Sequence, residues 1–102
     1  MRMESTNHRR LQIMELFYNY LYEGADAETL VSELKKIEAL AQQRAGGFIG
    51  KGIWFRFFKG DTLATIGDIE KDLANPFHPR YAQLQEGMKR AVLKDELQVY
   101  CA

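Results

Sequence analysis

Cysteine occurs once in this chain of 102 residues, at Cys101, so no disulfide can form within it and no pair of thiolates is present to hold a metal. Such sparing use also fits a reducing compartment. Histidine occurs only at His8 and His78, and neither stands at a spacing from the other or from Cys101 that would set two ligands on one turn or helical face. The expectation is no metal and no cofactor. An excess of charge is missing as well: 14 Lys and Arg balance 14 Asp and Glu, for a formal net charge of +0. No net field draws the chain toward nucleic acid or anionic lipid, and either would need a local patch. Long apolar runs are lacking too. None approaches the roughly 18 residues of a membrane span, and residues 1–10 contain no apolar signal core, so we expect a cytoplasmic protein without a membrane partner.

What is present describes a folded chain. Hydrophobic residues make up 46% and charged residues 27%, far from the composition of disorder. At this length folding buries roughly two-thirds of the unfolded surface, enough for one core, so residues 1–102 are expected to form a single domain. The expected class is α+β: two N-terminal helices, a short antiparallel hairpin at about 52–58 and 62–66, two further helices, and a possible C-terminal strand over 97–101.

The first helix is expected from about His8 to Tyr22, capped by Ser5, Thr6 or Asn7 and ended near Gly24. Its apolar residues, Leu11, Ile13, Met14, Phe17, Tyr18, Tyr20, Leu21 and Tyr22, cover well over half its circumference and leave only Gln12, Glu15 and Asn19 as a polar strip. Such a helix needs cover on more than one side. Asp26 suits the cap of a second helix, where Leu30, Val31, Leu34, Ile37 and Ala41 follow helical spacing and Gly46-Gly47 ends the run. Beyond the hairpin, Asp68 to Asn75 reads as a short helix stopped by Pro76, with Thr65 to Asp68 as an alternative capping box. A single helix from Asp61 competes with this reading. Pro79 suits the first turn of the last helix, along which Tyr81, Leu84, Met88, Ala91 and Val92 share a side.

Catalytic signatures are few. Residues 45–52 contain glycines and Lys51, yet Ala45 replaces the first P-loop glycine, Gly52 replaces the Ser or Thr, and the segment leaves a helix for a strand, the reverse of what phosphate binding requires. Its glycines read as a helix stop. His78, between Pro76 and Pro79, has the chemistry of a general base near neutral pH, but neither a nucleophile nor an orienting carboxylate accompanies it in sequence. A turn residue is the simpler reading. Asp61, Asp68, Glu70 and Asp72 cluster as capping and surface charge. No catalytic residue is assigned.

The richest segment is Gly50 to Gly60, which holds the only tryptophan and three of the six phenylalanines. Period-two alternation puts Ile53, Phe55 and Phe57 on one face and Trp54, Arg56 and Phe58 on the other, so both faces need cover. Three hypotheses follow. The favoured one is a homo-oligomeric interaction or regulatory module, with Phe17, Tyr18, Tyr20 and Tyr22 of the first helix and the aromatic strand as contact surfaces, and with room for an unidentified protein partner; Phe17 and Leu21 also belong to the core in any assembly. A second, less favoured, is a single-stranded nucleic-acid platform of Trp54, Arg56 and Phe58 with Lys51 and Lys59 at its ends, extended by His8, Arg9 and Arg10. The third is a small-molecule pocket between the aromatic face and the helices, with His78 or Tyr81 at its mouth.

Overall fold

A computed structural model describes residues 2–44, 53–56 and 64–101. Helix α1 is Arg2–Tyr22 and α2 is Ala27–Arg44; strands β1, Ile53–Arg56, and β2, Ala64–Thr65, precede α3, Ile66–Leu73, and α4, Pro79–Lys94, before β3, Gln98–Cys101. Helix dominates. The α+β expectation holds only in a loose sense, because among the described residues the strands amount to a small three-stranded patch of order β2-β1-β3 beside four helices.

Each boundary has a local cause. Gly24 adopts φ +83, a left-handed conformation open to glycine, and the Ala25 amide donates back to the Asn19 carbonyl at 3.1 Å to close α1. The Asp26 carboxylate accepts from the Thr29 amide at 2.8 Å and so caps α2; a bond from the Thr29 side chain first, and the amide bond second, hold its carboxyl below the usual range. Thr65 and Asp68 form the reciprocal capping box of α3: the Asp68 amide donates to the Thr65 hydroxyl at 3.1 Å, and the Thr65 amide donates to the Asp68 carboxylate at 2.9 Å. The box starts α3 at Ile66, two residues before the expected start, and ends β2 at Thr65. Residues 52, 57, 58 and 61–63 of the expected hairpin and competing helix lie outside the described residues. Helix α1 also begins earlier than expected, since Ser5, Thr6 and Asn7 continue it instead of capping it. Their interior penalty is only tenths of a kcal/mol each.

The core is drawn from every helix. Ile13 and Phe17 of α1 meet Leu30, Val31 and Leu34 of α2, Ile66, Ile69 and Leu73 of α3, Leu84, Met88 and Ala91 of α4, and Leu97 and Val99 at the chain's end. Among the described residues every buried side chain is apolar. Helices α1 and α4 run antiparallel, as two cross-links show: Arg10 pairs with Asp95 near one end, and the Gln85 amide donates to the Tyr20 hydroxyl at 2.8 Å near the other. Asp95, the C-cap of α4, holds the left-handed conformation at φ 56. Among the described residues, no helix is long and apolar enough to cross a membrane.

Candidate functional site

The contrast between the two sides of α1 defines the first candidate surface. A helix turns 3.6 residues per revolution, so the buried Ile13 and Phe17 look inward and leave residues spaced 3 and 4 apart on the opposite side. Those residues are His8, Leu11, Glu15, Tyr18 and Tyr22, and all are exposed. Three of them are large and apolar: Leu11 at 52% exposure, Tyr18 at 44% and Tyr22 at 44%. The Tyr18 and Tyr22 rings lie one turn apart with centroids at 5.2 Å and planes tilted by 51°, forming a continuous aromatic ledge.

The other two expected contact residues on α1 sit elsewhere. Phe17 is fully enclosed in the chain's own core. Tyr20 is half-buried against α4, where burial first and a bond with Tyr81 second push its hydroxyl above the usual tyrosine value, partly offset by the Gln85 bond. Leu11 belongs to the exposed stripe although its place in the sequence did not single it out. Its signal is the spacing of seven to Tyr18.

The second candidate surface is the sheet. Strand β1 is central, paired antiparallel on both sides, so Trp54 stands opposite Thr65 and Tyr100, Phe55 opposite Ala64 and Val99, and Arg56 opposite Gln98. Directly paired positions share a face. Position 55 therefore belongs to the face of the buried Val99, and positions 54 and 56 to that of the exposed Gln98. Register brings Tyr100 and Gln98 beside Trp54 and Arg56, a grouping no local pattern announces. Lys51, Phe58 and Lys59 lie outside the described residues.

The remaining candidates have structural partners. His78 is the N-cap of α4, and its Nδ1 accepts from the Arg80 amide at 3.1 Å. Asp68 is spent in its capping box, and Glu70 pairs with Lys35 at 3.3 Å. Arg10 pairs with Asp95, so the basic run His8 to Arg10 is not a set of three uncommitted cations. Among the described residues, no three His, Cys, Asp or Glu side chains converge as a metal site. A groove of about 490 Å³ lies between α2 and α3, lined by Val31, Ser32, Lys35, Glu70 and Leu73 among others. Neither His78 nor Tyr81 borders it. Compared with protein families, curated proteins and solved structures, the chain matches none.

Proposed function

We propose that this chain is a homo-oligomeric protein-interaction or regulatory module of the cytoplasm, using the tyrosine-rich face of α1 and the aromatic strand β1 as contact surfaces. The observation that carries the reading is the exposed stripe of Leu11, Tyr18 and Tyr22 directly opposite the core face of the same helix. A monomer gains nothing from that stripe, whereas interfaces concentrate tyrosine and tryptophan in their energetic centres. The balanced charge supports self-association over attachment to a polyanion.

A single-stranded nucleic-acid platform is the second reading. It draws support from the register that groups positions 54, 56 and 100 on one sheet face. One experiment separates the two. Under self-association, Trp54 fluorescence is unchanged by a short unstructured oligonucleotide, and Arg56→Ala weakens the oligomer of a chain that stays folded. A fluorescence change reversed by salt and abolished by Arg56→Ala, at constant subunit mass, would replace the first reading with the second.

A further inference from the structure

The exposed side of α1 repeats with the alternating 3 and 4 spacing of a helix-pairing seam: His8, Leu11, Glu15, Tyr18, Tyr22. From Leu11 to Tyr22 the seam is about 16 Å long at 1.5 Å per residue. Its middle is occupied by a carboxylate. Any partner that covers the stripe must give Glu15 a hydrogen-bond donor, because an unpaired buried carboxylate is strongly unfavourable. That requirement discriminates among the ways two copies can meet. Parallel pairing sets Glu15 against Glu15 of the partner subunit, like charge on like. An antiparallel pairing centred between Glu15 and Tyr18 sets each Glu15 against the partner subunit's Tyr18 and each Leu11 against the partner subunit's Tyr22. Slipping that register by one seam position toward the N-terminus sets Glu15 against Glu15 of the partner subunit, like charge on like, and slipping it the other way moves Glu15 to the partner subunit's Tyr22 but carries Leu11 beyond the end of the partner helix.

We infer that two copies of this chain pair through α1, antiparallel about a two-fold axis, with the Tyr18 hydroxyl of each donating to Glu15 of the other and with Leu11 packed on the partner subunit's Tyr22. The inference rests on the self-association reading and supplies its geometry. The seam is self-complementary: two apolar pairs flank two charge-assisted hydrogen bonds, and one patch serves both copies, as two-fold symmetry demands.

Site-directed cross-linking tests this in a Cys101→Ser background, after the subunit mass has been measured. The Leu11→Cys and Tyr22→Cys chains, mixed in equal amounts and oxidised, should give a disulfide-linked pair containing one of each, while either alone gives little. Self-linking of Leu11→Cys alone would overturn the antiparallel arrangement. A dimeric mass with no link in the mixture would overturn the α1 pairing yet leave self-association standing through another surface; a monomeric mass before oxidation would remove both. Tyr18→Phe gives an independent readout, since it takes away the donor and keeps the ring. The dimer dissociation constant should rise about tenfold or more. An unchanged constant would overturn the Glu15–Tyr18 register.

Discussion

Both long sides of α1 carry large apolar side chains, and these meet opposite fates. Ile13 and Phe17 are fully enclosed by α2 and α4 neighbours, while Leu11, Tyr18 and Tyr22, no less apolar in bulk, remain exposed. Inside, enclosure is complete because α1 lies against two helices at once, one joined to it by the short turn at Gly24 and the other held antiparallel at both ends. Outside, no described element covers the stripe. Hydrophobicity alone does not say which side of a helix is core; the difference lies in what the rest of the chain can reach.

The largest effect should come from crossing that divide. Phe17→Ala is expected to cost about 3–5 kcal/mol in urea unfolding, since the ring is fully buried and the helices around it cannot collapse into the space. Tyr18→Ala, one residue away, should stay within about 0.5 kcal/mol when measured on dilute, dissociated chains. Equal costs at the two positions would break the comparison.

Effects carried by the backbone come next. Gly24→Ala places a side chain at φ +83 with nothing within 4 Å of the new Cβ, so strain alone should cost about 1–2 kcal/mol, seen as a lower urea midpoint at constant slope. Thr65→Ala removes the acceptor in the α3 capping box and should cost about 1 kcal/mol, whereas Thr65→Ser should cost much less.

The smallest effect is a pH dependence on the inward side. Because the Tyr20 hydroxyl titrates above its ordinary value of 10.0 in the folded chain, the native state holds that proton more tightly than the unfolded state. Its contribution is complete below the unfolded value and fades as pH rises through the folded one. Stability should therefore fall above pH 10.0, and Tyr20→Phe should flatten part of that fall.

Much of this organisation was legible because it is local. Asp26 and Thr65 with Asp68 mark helix starts through bonds that span three residues, Pro79 marks one through its fixed φ, and the apolar spacing of α2 and α4 picked out Leu30, Leu34, Leu84 and Met88 as core. The alternation over 97–101 allowed a third strand or a continuation of the last helix, and the fold chose the strand, whose place was not readable. That β3 pairs with β1, and so brings Tyr100 beside Trp54, depends on a contact between residues 46 positions apart, which no window of sequence contains. His78 shows the converse: its chemistry suggested more than its geometry uses, because the imidazole caps a helix. On α1 the apolar residues spread around the polar strip of Gln12, Glu15 and Asn19, and only the fold separated the enclosed Ile13 and Phe17 from the exposed Leu11, Tyr18 and Tyr22.

The measurement that tests the central claim most directly is subunit mass by light scattering from about 0.1 to 100 μM, a span covering typical specific association, for the native chain beside Tyr18→Ala/Tyr22→Ala. The account predicts a dimeric or larger mass for the native chain at micromolar concentration and a folded monomer for the double variant. A native chain that stays monomeric across the range would contradict it.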